Sequence, residues 1–231
     1  MAGQTETPRQ RLFREVAERG DISIRALART LGLKHASLVK KLRPLVQKGL
    51  LVWGEGRRKV GVGPGVGHVL GIDLGASHLH FALTDFQGEI LRDAAVKIRP
   101  EDGPRALIAQ IKQGARSLAD EAGCRRLQAV GIGVPSAVDR EQGIVAWANN
   151  LPGWKDIHLG RELRNEFRVP VFMENDANMA ALGEHWRGVA QGVDNFVFIA
   201  LGTGIGSGVF VDGKLYRGRS GWAGSSPRCP P

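Results

Sequence analysis

One order of elements occurs twice in this chain of 231 residues, and the repeat restricts the fold more than any other feature. Each copy has an apolar strand, a glycine turn, a second strand, a short turn containing Asp and Gly, and a third strand. The first copy covers residues 68–91 with its glycine turn at 75–77, and the second covers residues 196–216 with its glycine turn at 202–206. A duplication of this kind predicts two similar lobes with a cleft between them.

The stretch between the two copies alternates helical and strand patterns. Apolar residues have helical spacing at about 104–122 and 177–187, and short apolar runs typical of buried strands occupy residues 127–134 and 170–173. Strands that alternate with helices indicate an α/β domain.

The net charge of the chain lies in its first third. Residues 1–68 contain 14 Lys and Arg against 5 Asp and Glu, which accounts for the whole formal charge of +9, and residues 69–231 contain 18 of each sign. An excess confined to one segment is typical of a module that binds a polyanion such as DNA. The glycine-rich run at 61–67 predicts a flexible junction, and we place the domain boundary there.

Residues 1–66 have the pattern of a winged helix-turn-helix. Helical spacing predicts helices at 8–19, 24–31 and about 36–48, with a sharp turn at Gly32 between the second and the third. Two apolar stretches around a basic, glycine-rich tip predict a β-hairpin after them, which would be the wing. The alternative is a three-helix structural module with a solvated basic face.

The expected DNA contacts follow from the phase of the third helix. With Val39, Leu42 and Val46 facing inward, the first turns of this helix present polar and basic side chains to the major groove. The residues expected to contact DNA are Lys34, His35, Ser37, Lys40 and Lys41 in or just before the helix, and Arg57 and Arg58 at the hairpin tip.

Either glycine turn could hold phosphates, because glycine lets backbone N–H groups approach an anion closely. Neither turn has the Lys-Ser/Thr ending of a P-loop, and a strand follows residues 202–206 where a dinucleotide fold needs a helix. Taken alone, each is more often an ordinary hairpin turn. Asp73 favours a site, because a carboxylate at the end of a buried strand can hold a metal-bound phosphate. The residues of this hypothesis are Asp73, Gly75, Ser77, Gly202, Thr203, Gly204 and Gly206.

A dense polar cluster, Glu174-Asn175-Asp176-Ala177-Asn178, follows a buried strand and opens a helix. Ligand groups commonly lie at this position in an α/β sheet. Asp176 could accept the proton of an attacking sugar hydroxyl, as phosphoryl transfer requires. Helix capping is the alternative role of Asn175 and Asp176.

Several classes of protein are disfavoured by the composition. The chain has no apolar run of about eighteen residues that would predict a membrane span, and its N-terminus lacks the apolar core of a signal peptide. Cys124 and Cys229 form neither a disulfide framework nor a metal-ligand pattern, so we expect incidental thiols in a cytoplasmic chain.

Five ordered motifs make the chain resemble the ROK family of repressors and sugar kinases. The resemblance covers nearly the whole chain but only about the first half of the family's kinase-like domain, and the basic N-terminal segment is similar to the repressor branch. The motifs are GIDLGAS at 71–77, GIGVP at 131–135, NLPGW at 150–154, ENDAN at 174–178 and LGTGIG at 201–206, the last followed by DGKLYRG at 212–218.

The resemblance implies an α/β fold in which the winged helix is followed by a partial actin-like (ribonuclease H-like) sugar-kinase domain. Its first lobe would lie at 67–190 and an incomplete second lobe at 191–231. In the family's kinases, the two glycine turns would hold ATP phosphates. The sugar would contact Ser136, Asn150, Asn175 and Asp176, with Asp176 as the catalytic base if the domain is active.

The chain departs from the family pattern in two places. Ala76 stands where the kinases usually have a second Gly, and its side chain disfavours the close approach of ATP. After Gly224 the family continues with a Glu and a His that bind sugar and zinc, whereas Ser225–Pro231 ends this sequence. We therefore expect an incomplete ATP and magnesium site, no zinc motif and a truncated chain.

Three functions are compatible with these features. The first is a DNA-binding transcriptional regulator, with a repressor as the main expectation, that binds a double-stranded operator and a sugar or sugar-phosphate effector and forms a homo-oligomer. The second is an ATP-dependent, glucokinase-like hexose kinase with an appended DNA-binding domain, which Asp176 favours and Ala76 opposes. The third is a non-functional fragment that still folds its N-terminal domain.

Overall fold

The computed structural model describes residues 7–148, 150–219 and 223–224. They form two compact units. The first contains the described residues up to His68 together with Thr84–Leu91, and the second contains Val69–Leu83 and the described residues from Arg92 onward. No helix of the described part is long and apolar enough to span a membrane.

Three helices and a three-stranded sheet make up the first unit. The three sequence-predicted helices are present, within one residue of the expected bounds. The sheet has the order β1-β3-β2, with both pairs antiparallel. The elements are α1 (Pro8–Arg19), β1 (Ile22–Ser23), α2 (Ile24–Leu31), α3 (His35–Gln47), β2 (Leu51–Gly54) and β3 (Lys59–Val62).

Local capping defines the ends of these helices. The Thr7 hydroxyl accepts from the Gln10 N–H at 3.2 Å while the Gln10 side chain accepts from the Thr7 N–H at 2.8 Å, which is a capping box at the start of α1. The Ser23 hydroxyl accepts from the Ala26 N–H at 3.2 Å and so caps α2, and Gly32 ends this helix in a left-handed conformation with φ of 64°. Because glycine adopts this conformation without a Cβ penalty, α3 can turn sharply away from α2.

The phase of α3 differs slightly from the sequence prediction. Leu38 and Leu42 are fully buried, whereas Val39 and Val46 are only partly buried at the edge of the core. The prediction of Leu42 is confirmed and Leu38 was missed, because the buried face of α3 is centred one residue earlier than the apolar spacing indicated.

The expected flexible junction at residues 61–67 is instead packed into the first unit. Val62 and Val66 are buried, and the Gly65 N–H donates to the Gly49 carbonyl at 2.9 Å. A Cβ at Gly65 would lie 2.8 Å from that carbonyl oxygen, so glycine is required here by close backbone approach rather than by flexibility.

The turn between the second and third strands of the first repeat also belongs to the first unit, which the sequence did not indicate. Phe86 packs against the same core as α1, α2 and α3, and the Gln87 side-chain amide donates to the Val62 carbonyl at 2.9 Å.

The second unit is an α/β structure with three sheets. The five-stranded sheet has the order β11-β7-β4-β5-β6, and the smaller sheets have the orders β10-β9-β8 and β12-β13-β14. The elements are β4 (His68–Leu74), β5 (His78–Asp85), β6 (Ile90–Lys97), α4 (Gly103–Glu121), β7 (Leu127–Val134), β8 (Ala137–Asp139), β9 (Ile144–Trp147), β10 (Lys155–Ile157), α5 (Leu159–Phe167), β11 (Val171–Asn175), α6 (Asp176–Arg187), β12 (Phe196–Leu201), β13 (Ile205–Val211) and β14 (Lys214–Tyr216).

A continuous core joins the five-stranded sheet to α4 and α5. The buried positions of α4 recur at intervals of three or four residues, as one face of a helix requires: Leu107, Ile111, Ala115 and Leu118. A Cβ at Gly114 would lie 2.6 Å from the Phe81 ring, so the absence of a side chain there lets α4 approach β5.

The small sheet β12-β13-β14 is covered by α6 on one face. Phe210 and Leu215 are buried against Ala181, and a Cβ at Gly206 would lie 3.0 Å from the Ala177 Cβ. The strands are as apolar as those of a sheet that is buried on both faces, but residues on the face opposite α6 are exposed. These are Val197, Ile199, Leu201, Ile205 and Val211, with Leu201 exposed by 78%.

We predict that this exposed face drives self-association at high concentration. Replacing Ile199 and Leu201 together by Ser should lower the average mass in sedimentation velocity at the highest concentrations, because it removes apolar surface from water-exposed positions. The free energy of unfolding should change by less than about 1 kcal/mol, since both side chains are exposed.

Phe210→Ala is the matched control on the covered face. Phe210 is 3% exposed, so this substitution should instead cost about 3–5 kcal/mol of stability. A double Ser variant that sediments as the parent protein does at every concentration would contradict the prediction.

Candidate functional site

The N-terminus of α6 lies at the carboxyl end of β11, which runs parallel to β7 with Asn175 beside Val134. Asn175 caps the helix, because its Oδ1 accepts from the Asn178 N–H at 3.2 Å. Its Nδ2 donates to the Ser136 carbonyl at 3.4 Å. Asn175 therefore does cap the helix, and it also brings the polar cluster next to the turn that follows β7.

Ser136 contributes a buried hydroxyl at this place. The residue is 7% exposed, and its Oγ has no hydrogen-bond partner within the described residues. Buried polar atoms are normally hydrogen-bonded, so an unsatisfied hydroxyl next to Asn175 is compatible with a ligand that supplies the missing partner.

Two acidic residues lie on either side of Gly133 in β7. Asp73 lies on β4 and Asp176 begins α6, and a Cβ built at Gly133 would lie 3.5 Å from the Asp176 Cα and 3.8 Å from Asp73 Oδ1. Burial raises the pKa of Asp176, and the charge of Asp73 raises it further. The Ala177 N–H donates to Asp176 Oδ1 at 2.8 Å, and this hydrogen bond partly offsets the increase by lowering the pKa of Asp176. A carboxyl with a raised pKa is suited to accept a proton from a ligand hydroxyl.

The first glycine turn is closed by a hydrogen bond from the Gly75 N–H to the His78 carbonyl at 2.9 Å. The His78 ring lies over Gly75, where a Cβ would be 2.7 Å from its Nε2. The same nitrogen is 4.0 Å from Asp73 Oδ2, and the ring Nδ1 is 3.4 Å from the Ser77 hydroxyl. His78 is thus a neighbour of Asp73, Gly75 and Ser77 that the sequence hypothesis did not include.

The second glycine turn is an exposed three-residue hairpin loop at 202–204, between the paired residues Leu201 and Ile205. A Cβ at Gly204 would lie 4.0 Å from Asn150 Nδ2, so the turn lies beside the residue expected to contact sugar. Gly206 lies instead within β13, packed against Ala177.

Glu174 is the functional candidate that the sequence hypothesis left out of its site. The residue is 5% exposed and occupies the last buried position of β11. Its Oε2 accepts from Arg217 Nε at 2.8 Å, and its Oε1 accepts from Asn178 Nδ2 at 3.3 Å. A Glu within an apolar strand is a signal that could have found it, because Glu is almost never fully buried without a partner.

The basic residues of the first unit lie on its surface. Arg57 and Arg58 at the hairpin tip are exposed. The five positions expected at α3 are exposed as well: Lys34, His35, Ser37, Lys40 and Lys41. Lys59 next to the tip pairs with Glu55 at 2.7 Å, and its hydrogen bond and ion pair with that carboxylate raise the pKa of Lys59.

Within the described residues, no cluster of three or more His, Cys, Asp and Glu side chains could hold a metal ion. Cys229 and the segment 225–231, on which the expectation about zinc partly rests, lie outside the described residues.

Residues 69–226 match the profile of the ROK family, which is more than half of the chain. The chain belongs to the ROK family. A putative xylose repressor from Caldicellulosiruptor sp. (strain Rt8B.4) is 31% identical over 225 residues, covering 92% of this chain and 56% of the relative. A glucokinase from Thermotoga maritima is 38% identical over 153 residues, covering 66% of this chain and 47% of the relative.

A solved ROK family transcriptional regulator, described as a homolog of the E. coli MLC protein, superposes with a TM-score of 0.73 at 30% identity. The match covers 93% of this chain and 56% of that regulator. This ROK chain therefore spans about half the length of the curated relatives it matches. The predicted family and the α/β ROK domain are confirmed.

We predict a pH-dependent gain of stability for Asp176→Asn in this ROK protein. Above its raised folded-state pKa, Asp176 carries a partly buried charge that the unfolded chain exposes, which costs stability. This cost falls as the pH drops through the raised pKa, and it is gone below the ordinary Asp value of about 3.9. The variant should therefore be more stable than the parent at pH 7, by a margin that shrinks toward pH 4.

Urea unfolding at several pH values measures this margin. Asn keeps the acceptor for the Ala177 N–H, so the comparison isolates the charge. In an Asp73→Asn background the gain at pH 7 should be smaller, because the charge of Asp73 contributes to the raised pKa of Asp176. A gain that does not vary with pH would show that the charge of Asp176 is not its source.

Proposed function

We propose that this chain is a DNA-binding transcriptional regulator, a repressor, whose ROK domain responds to a sugar. The observation that carries the proposal is the extent of the matches. The xylose repressor aligns over 92% of the chain and the ROK regulator structure over 93%, so both include the basic first unit. The glucokinase aligns over only 66%, which is close to the length of the ROK match at 69–226.

The first unit is proposed to be a winged helix-turn-helix, with DNA binding assigned to residues 1–66. Support comes from the order of three helices and a hairpin and from the sharp turn at Gly32. Burial of Leu38 and Leu42 turns the opposite face of α3 to solvent, where Lys40 and Lys41 are exposed. Such a helix can enter a major groove while basic side chains neutralise phosphates.

Different contacts are proposed for the two ends of this surface. His35 and Ser37 lie in the first turn of α3, where side chains reach base edges, so they are proposed to determine sequence preference. Lys40 and Lys41 are proposed to contact phosphates, a role that does not depend on sequence. Arg57 and Arg58 at the hairpin tip are proposed to act through the DNA backbone or the minor groove.

Sugar binding is proposed for the second unit, with residues 67–190 as the first lobe and 191–231 as part of a second. The proposed contacts are Ser136, Asn150, Asn175 and Asp176. The unsatisfied Ser136 hydroxyl and the cap residue Asn175 support a ligand rich in hydroxyl groups, since such a ligand can donate and accept hydrogen bonds.

A hexose kinase is the second candidate, and one observation favours it: the raised pKa of Asp176 suits a general base. Two features oppose it. Ala76 adds a side chain in the first glycine turn, and the His78 ring lies over Gly75, so two side chains crowd the backbone that would have to approach phosphates.

We predict that the full chain binds duplex DNA with an affinity that falls steeply with salt, because counterions are released when phosphates are neutralised. Lys40→Ala and Lys41→Ala should each weaken binding to all sequences alike and reduce the slope of log K against log salt by about one. Fluorescence anisotropy with labelled duplexes at several salt concentrations measures both quantities.

Lys155→Ala is the matched control, an exposed lysine of the second unit that should change neither affinity nor slope. His35→Ala should alter the ranking of duplexes selected from a random pool. If Lys155→Ala weakens binding as much as Lys40→Ala does, DNA binding is not a property of the first unit.

We also predict that the chain releases no ADP from ATP in the presence of D-glucose or other hexoses. Phosphoryl transfer depends on positioned phosphates, and the Ala76 and His78 side chains crowd the turn that would have to position them. A coupled ADP assay at saturating magnesium tests this. Sugar-dependent ADP release that Asp176→Asn abolishes would replace the regulator proposal with the kinase for the second unit.

A further inference from the structure

The carboxylate of Glu174 connects the candidate sugar site with two other segments of the chain. One oxygen, Oε1, accepts from the Asn175 N–H at 3.1 Å and from Asn178 Nδ2 at 3.3 Å. The other, Oε2, accepts from Arg217 Nε at 2.8 Å and lies 3.9 Å from Arg140 Nε. Both oxygens are therefore used, and the partners come from the start of α6, the end of β14 and the end of β8.

Burial makes these contacts energetically important. The Glu174 side chain is 7% exposed, so its charge is stable there only because it is paired and hydrogen-bonded. Asn178 is fully buried, and its Nδ2 donates to Glu174. Removing the charge would leave the guanidinium group of Arg217 without its ion-pair partner on β11.

The network also determines where the sugar-contact residues lie. The Asn178 N–H donates to Asn175 Oδ1, which orients the Asn175 side chain so that its Nδ2 reaches the Ser136 carbonyl. Asp176 is the next residue, and its position depends on the same helix start. Glu174 itself contacts neither Ser136 nor Asp176 in the hydrogen bonds above, so any effect on a sugar acts through Asn175 and Asn178.

We propose that Glu174 is a positioning residue for sugar binding: with Arg217 it fixes the start of α6 so that Asn175 and Asp176 are held in the geometry that contacts the sugar. This inference rests on the proposed sugar site. It assigns a role to Glu174 and Arg217, which belong neither to the site predicted from the sequence nor to the proposed sugar contacts.

Glu174→Gln in the full chain is the central test. Gln keeps the size and one acceptor but loses the charge that pairs with Arg217. Titration calorimetry with D-glucose and with D-xylose should show affinity about tenfold weaker, which is the lower end of the cost of removing a residue that orients the ligands of a metal site. Arg217→Gln should have a similar effect, and Arg217→Lys should recover most of the affinity, because Lys restores the positive charge.

Glu166→Gln is the matched control for a merely structural effect. Glu166 is also a largely buried carboxylate of the same unit that pairs with two cations, Arg116 and Lys112. It should lower the melting temperature while leaving sugar affinity within about twofold, because its partners lie on α4 and not at the start of α6. The double variant Glu174→Gln/Arg217→Gln should bind sugar no more weakly than either single variant, since both act through one interaction.

Hydrogen exchange gives a second readout that needs no ligand. In Glu174→Gln the amides of Asn175 and Asn178 should exchange faster than in the parent protein, while those of Leu70 and Ile72 in β4 should be unchanged. In Glu166→Gln the amides at the start of α6 should exchange as in the parent.

The outcomes distinguish the proposed sugar binding from the positioning role of Glu174. A parent protein that binds neither sugar contradicts the proposed function. In that case, amide hydrogen exchange at Asn175 and Asn178 is the remaining test of whether Glu174 fixes the start of α6. If the parent binds sugar and Glu174→Gln binds it equally well, the positioning role is wrong, whatever happens to the melting temperature. Unchanged exchange at Asn175 and Asn178 would overturn it as well.

Discussion

The start of α6 is held by interactions on which the rest of the second unit depends. Asn175 caps the helix, Glu174 pairs with Arg217, and the backbone of β13 approaches α6 closely at Gly206. These contacts bring the polar cluster against the turn after β7 and bring the small sheet against the helix. The same short segment therefore supplies both this packing and the side chains proposed to contact the sugar. The carboxylate of Asp176 is accordingly placed in a partly buried environment, which is the main cause of its raised pKa.

In the first unit, the buried and the charged side chains of α3 lie on different faces of the helix. Leu38 and Leu42 anchor one face of α3 in the core, and this burial leaves the basic face in solvent. Burial of leucine side chains contributes roughly 2 kcal/mol each, whereas exposed lysines contribute little to folding. The exposed lysines of α3 are therefore expected to add little to the stability of the first unit, which fits their proposed role in binding a polyanion.

Glycine has two different uses in this chain, and the sequence alone did not distinguish them. Gly32 adopts a positive φ and ends α2, as its position between two helical patterns predicted. Gly65 is instead required because the Gly49 carbonyl lies against it, and this packing turns an expected flexible junction into part of the core. A glycine-rich run looks the same in either case, because close approach depends on a segment that is distant in sequence.

The sequence by itself determined the local features: the helices of the first unit, the repeated strand order, the excess of positive charge and the motifs of the family. Each follows from periodicity, composition or adjacent residues, which a linear pattern contains. Tertiary structure decided which side chains meet. It placed Phe86 in the core of the first unit, His78 over Gly75 and Arg217 against Glu174, across 43 residues of chain. Such contacts could not be predicted here, because the free energy of a buried ion pair or a packed ring depends on partners that only the folded chain brings within a few ångströms.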